Sequence, residues 1–133
     1  MTVIDASAVV DLLAPPDITR RDFVIAELPE PGEPWLAPDI LPFEVFSVIR
    51  RHLLRGVLAV NLARTTLRRL RMLPIELVPT LGLLDAAWAL RDRFSAGDSL
   101  YAALAIRAGE PLLTSDMRLA RAASDTGIEV RKP

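Results

Sequence analysis

The chain opens MTVIDASAVVDLL (residues 1–13), and this stretch decides the fold class. Val3 and Ile4 are β-branched and apolar on successive positions, so neither side chain faces water: this is a short strand buried on both faces. A carboxylate, Asp5, follows at once. Ala6-Ser7-Ala8 and a second apolar run then read as a helix, which Pro15-Pro16 stops. A fully apolar strand feeding a helix is the opening of an α/β unit. In such proteins the ligand crevice lies at the carboxyl ends of the strands, where Asp5 stands.

The pattern continues. Helices are predicted over Asp17–Leu28, Pro38–Arg55 with Gly56 as its stop, Val60–Met72, Thr80–Phe94, Asp98–Ala108 and Asp116–Ser124. Strands are predicted at Trp35–Ala37, Ile75–Val78, Pro111–Thr114 and Ile128–Val130. The run from Pro29 to Pro34 is a loop on composition. Strands alternating with helices imply a parallel sheet covered on both faces. The length, 133 residues, suits one domain spanning 1–133.

Composition narrows the chemistry. There is no cysteine, which removes disulfides, thiolate metal sites and a Cys nucleophile. The only histidine, His52, sits in RRHLLR (50–55) and is expected at the solvent. No G-x-S-x-G elbow, P-loop or G-x-G-x-x-G fingerprint is present. The one lysine, Lys132, is misplaced for a phosphorylatable receiver domain, and Ser7 stands where a haloacid-dehalogenase-type phosphatase needs a second Asp. The N-terminus has no basic region followed by an apolar one, and no apolar run is of membrane-spanning length. The expectation is a soluble, cytoplasmic protein with no membrane contact.

The net charge of −1 hides an asymmetry: between Val45 and Ile75 there are seven arginines and no acid. Such a block suits a local anionic partner, or is a solvated helix face. Four acids invite a chemical reading. Asp5 and Asp116 each follow an apolar strand and precede a helix, and Asp98 opens an alanine-rich helix; each is also a possible helix N-cap. Glu44 lies inside a helix between Phe43 and Val45, with Ser47 and Arg51 continuing a polar stripe, or is an ordinary exposed Glu beside a basic neighbour. Gathered together, such carboxylates repel by roughly 1–4 kcal/mol per pair at about 4 Å. A hard divalent cation relieves that repulsion, and oxygen-only ligands suit Mg2+ or Mn2+.

The motifs VIDASA (3–8), PFEVFSVIRR (42–51), DSLYAALA (98–105) and LLTSDMRLARAA (112–123), in this order, resemble the PIN-domain ribonucleases, and more closely the VapC-type toxins of toxin–antitoxin pairs. The resemblance covers nearly the whole chain. It implies a three-layer α/β/α sandwich with a mostly parallel central sheet. It implies a metal-dependent endoribonuclease that hydrolyses RNA phosphodiester bonds. Asp5, Glu44, Asp98 and Asp116 would be both catalytic and metal-binding, with Mg2+ or Mn2+. Ser7 would support the metal or its water, and Thr114 and Ser115 would donate to the acids from behind. It further implies an RNA substrate, a homodimer and a cognate VapB-type antitoxin. Family members often carry Asn three residues after the helix Glu, where this chain has Ser47. Arg51, Arg55, Arg64 and Arg68 are the candidates for contacts to the RNA backbone. Aromatic residues are few, so base stacking is not an evident source of specificity. The alternatives are a non-catalytic PIN-like binding module and a metal-dependent phosphatase.

Overall fold

Val3 and Ile4 are fully buried, and in the computed structural model, which describes residues 1–133, Thr2–Ile4 is the middle strand β1 of a five-stranded sheet. The others are β2 (Trp35–Pro38), β3 (Ile75–Val78), β4 (Leu112–Leu113) and β5 (Val130–Arg131), in the order β3-β2-β1-β4-β5. Every pair is parallel; Val3 lies between Leu36 and Leu112. The three central strands are buried and, apart from Thr2, apolar, as a sheet with two covered faces requires. The edge strand β3 is half exposed.

Seven helices cover the sheet: α1 (Ala6–Leu13), α2 (Ile18–Ala26), α3 (Leu41–Leu54), α4 (Val60–Leu70), α5 (Leu84–Ala89), α6 (Ala96–Ala108) and α7 (Met117–Asp125). The chain steps from β1 to β2 to β3 in one direction, then returns to the other side of β1 for β4 and β5. Right-handed crossovers therefore put α1–α4 on one face and α5–α7 on the other, giving the three-layer α/β/α sandwich. Contacts agree: α1 packs on α2, α3 and α4, while α6 lies across β1, β2 and β4. The connections diverge between β1 and β4, and such a switch point opens a crevice beyond the carboxyl ends of those strands. No helix is long and apolar enough to cross a membrane.

Several boundaries differ from expectation, each for a local reason. Thr80–Phe94 is not one helix but a 3-10 turn (Thr80–Leu83) followed by the six-residue α5. Only Leu83, Ala87 and Phe94 are buried in that stretch, too little packing to hold a long helix. Helix α3 starts at Leu41, with Pro42 in its first turn; Pro38 stays in β2, and the Asp39 carboxylate accepts the Thr80 N–H at 3.0 Å. The last strand forms at Val130–Arg131, where Arg131 pairs with Leu113, while Ile128 is buried in the core. Helix α6 begins at Ala96, ahead of Asp98, because the Ser95 hydroxyl caps it by accepting the Asp98 N–H at 3.3 Å. His52, expected at the solvent, is partly buried.

Candidate active site

Each of the four acids stands at the amino end of a different helix. Asp5 is the N-cap of α1: its Oδ1 accepts the Ala8 N–H at 3.0 Å. Asp116 is the N-cap of α7, accepting from Arg118 at 2.9 Å and Leu119 at 3.3 Å. Glu44 lies in the first turn of α3 and Asp98 in the first turn of α6. Asp5 and Asp116 cap their helices and also line one pocket with the other two acids. Asp98 does not cap, because Ser95 does. Each helix start carries roughly half a positive charge, which tempers the mutual repulsion of the acids. All four line one pocket of about 340 Å³, together with Ser7, Ser47, Arg51 and Tyr101. A larger groove of about 620 Å³ beside Trp88, Phe94 and Leu100 is mainly apolar and gathers no comparable set of acids.

Asp5 is the deepest of the four, only 4% exposed. Its Oδ1 accepts the Ser7 hydroxyl at 2.7 Å, and its Oδ2 accepts the Thr114 hydroxyl at 2.6 Å. Burial pushes its carboxyl up to about 6, against the pull of the Thr114, Ala8 and Ser7 bonds; the negative charge of Asp116 adds to the rise. The same hydroxyls tie the loop after β1 to the loop after β4. Thr114 Oγ1 accepts the Asp116 N–H at 3.0 Å, and Ser7 Oγ accepts the Ser115 N–H at 2.9 Å. Ser115 thus acts through its backbone, while its hydroxyl is buried without a partner. Thr114→Val keeps the shape and removes the donor to Asp5 and the acceptor for Asp116. The expected result, read from urea denaturation, is a loss of about 1–3 kcal/mol of stability.

Glu44 accepts the Tyr101 hydroxyl on Oε1 at 2.7 Å. Partial burial raises its carboxyl, Tyr101 opposes that, and the charge of Asp98 reinforces it. Asp98 is likewise raised, first by burial and next by Asp116, while Ser95 and Arg118 pull it down. No three of these side chains are drawn together tightly enough to hold a metal ion as they stand. Uncompensated carboxylates repel, and the bonds to Tyr101, to Thr114 and to the helix-start N–H groups engage oxygens of Glu44, Asp5 and Asp116. The donor set nonetheless fits a hard divalent ion. It is oxygen-only, and three of its carboxyls are pushed upward, first by burial and then by the charge of a neighbouring carboxylate, which a cation offsets.

Of the four arginines singled out, Arg51 lines the pocket; Arg55, Arg64 and Arg68 are exposed and lie outside it. Sequence reasoning passed over Tyr101, although it is the chain's only tyrosine and stands three residues after Asp98. It also passed over Phe43, a pocket-lining aromatic that is 71% exposed. A large apolar side chain directly beside an acid, on the polar side of a helix, was the available signal.

Comparison with known proteins agrees with this architecture. The PIN domain family model matches residues 2–125. Ribonuclease VapC3 of Mycobacterium tuberculosis is 41% identical over 120 residues, 90% of this chain and 85% of that protein. VapC ribonuclease Mb0985 of Mycobacterium bovis is 34% identical over 127 residues, 96% of this chain and 91% of that protein. Two solved structures share the fold. PAE2754 from Pyrobaculum aerophilum has a TM-score of 0.70 at 18% identity, covering 97% of this chain and 82% of that one. VapBC2 from Rickettsia felis, bound to a DNA fragment from its promoter, has a TM-score of 0.64 at 11% identity, covering 98% and 97%. With its matched length, its sheet order and its relatives in agreement, the chain belongs to the PIN-domain family, on the VapC side of it.

Proposed function

We propose that the chain is a metal-dependent endoribonuclease, the toxin of a type II toxin–antitoxin pair. The observation that carries this is the meeting of four carboxylates, from four helix starts, in one pocket beyond the carboxyl ends of the parallel strands. Relatives named VapC ribonucleases at 34–41% identity support the substrate class.

Asp5, Glu44, Asp98 and Asp116 would hold Mg2+ or Mn2+. When bound, such an ion polarises phosphoryl oxygens, acidifies water and offsets charge on the leaving oxygen. The protein's own groups do the rest. Ser7 and Thr114 orient Asp5 through its two oxygens. Arg51, which lines the pocket, would reach the non-bridging oxygens of a phosphate with its guanidinium fork. Arg55, Arg64 and Arg68, exposed outside the pocket, would contact the RNA backbone. Phe43 offers a face on which a base stacks.

The partners follow from the same reading: a cognate VapB-type antitoxin, a second copy of the chain in a homodimer, and a cytoplasmic setting. Exposed Phe46, Leu54 and Val60 supply apolar surface for protein partners. The test is incubation of the purified chain with RNA and Mg2+ or Mn2+. Internal cleavage is expected, abolished by EDTA and by Asp98→Asn, with a phosphomonoester left intact. An Asp98→Asn protein that cuts as well as its parent overturns the reading.

A further inference from the structure

Helix α6 carries Asp98 into the pocket, and it also touches Glu44, the acid on α3. Gly97 and Tyr101 are four residues apart, so they share a face of α6, with Asp98 beside them. Both meet Glu44. The Tyr101 hydroxyl donates to Oε1 at 2.7 Å, and the Tyr101 side chain, 1% exposed, has no room to swing away. At Gly97 the contact is made by an absence. A Cβ there would lie 3.1 Å from Glu44 Oε2 and 3.9 Å from Glu44 Cδ and Ile40 Cδ1. One carboxylate oxygen is thus held by a donor, and the other lies so close to Gly97 that a Cβ there would push it aside by a few tenths of an ångström.

We infer that Gly97 and Tyr101 form a two-point seat on α6 that sets the Glu44 carboxylate relative to Asp98 for cation binding. Both are positioning residues: they act through Glu44. The inference rests on the reading of the pocket as a cation site. A glycine in the first turn of a helix, where alanine is the better helix former, has its reason in this seat. So does a buried tyrosine whose hydroxyl points at an acid rather than at a backbone carbonyl.

A tyrosine that merely fills the core alters stability when its hydroxyl is lost; a seat alters cation affinity, and only while Glu44 is there to be seated. Calorimetric titration of the full chain with Mn2+ separates the two. Tyr101→Phe is expected to weaken Mn2+ binding about tenfold or more, as removal of a ligand's hydrogen-bond partner does. Gly97→Ala is expected to weaken it as well, though less, by pushing Oε2 aside a few tenths of an ångström. In a Glu44→Gln background, adding Tyr101→Phe is expected to change the dissociation constant less than twofold. In RNA cleavage, the deficit of Tyr101→Phe should shrink as Mn2+ is raised. Dissociation constants within about twofold of the parent for both single variants overturn the inference. So does a Tyr101→Phe loss that persists undiminished without Glu44. A parent chain that binds no Mn2+ overturns the pocket reading itself, and the inference with it.

Discussion

Asp5→Asn is expected to cut RNA cleavage on the order of 10³-fold, a loss of about 4 kcal/mol in transition-state stabilisation, and yet to make the fold more stable above pH 6. The two effects have one origin. In the unfolded chain this carboxyl titrates near 3.8; in the fold, burial moves it to about 6. Folding therefore takes up a proton between those values. The contribution of Asp5 to stability is complete below about pH 3.8 and is lost as pH rises through about 6. The difference is about 3 kcal/mol. Asparagine keeps the shape, can still accept from Ser7 and Ala8, and has no charge to desolvate. Urea midpoints taken without divalent cation at pH 4, 5.5 and 7 should fall with pH more steeply for the parent than for Asp5→Asn. Parallel curves would sink the argument. Added Mn2+ should then stabilise the parent and leave the variant unmoved.

Ala102→Leu is expected to damage fold and activity together. Ala102 is fully buried in α6, which lies across β1, β2 and β4, and Ala105 beside it is 2% exposed. Small side chains are what let this helix approach the sheet. A leucine cannot be housed in a close-packed interior without moving backbone, at a cost of about 1–3 kcal/mol or more, against a total stability of about 5–15 kcal/mol. The same displacement moves Asp98, Gly97 and Tyr101. A shift of about 1 Å in a catalytic constellation costs on the order of 10²-fold in rate. The expected picture is a lower Tm and a cleavage rate depressed even well below that Tm. Ala89→Leu on α5, an exposed position, is the control and should stay within about 0.5 kcal/mol of the parent.

Asp5 and Asp116 could be picked out because an apolar strand ending in an acid is a local pattern, and local patterns survive in sequence. The parallel, doubly covered sheet was legible for the same reason: Val3-Ile4 and Leu112-Leu113 have no polar face. What α6 does to Glu44 was not legible. It depends on α3 and α6 meeting over 57 residues of separation, and nothing near either segment announces that. Asp98 was read as a possible cap when Ser95 holds that position. The choice between two acceptors three residues apart rests on a backbone geometry that propensity does not resolve. Ser115 was named as a donor without saying which group donates; its backbone N–H donates to the Ser7 hydroxyl. The break in Thr80–Phe94 was hidden because its apolar residues could fill a helix face but find too little core to lie against.

One wall of the pocket is stitched together by a bond pattern that joins residue 7 to residues 114 and 115. A ribosome making this chain emits Asp5 first and Asp116 only some hundred residues later. Until then Asp5 lacks the Thr114 hydroxyl on its Oδ2, and β1 lacks the neighbour that β4 provides. Nascent and prematurely terminated products should therefore be inert toward the very RNAs that surround their synthesis, and cutting competence should arrive late and all at once.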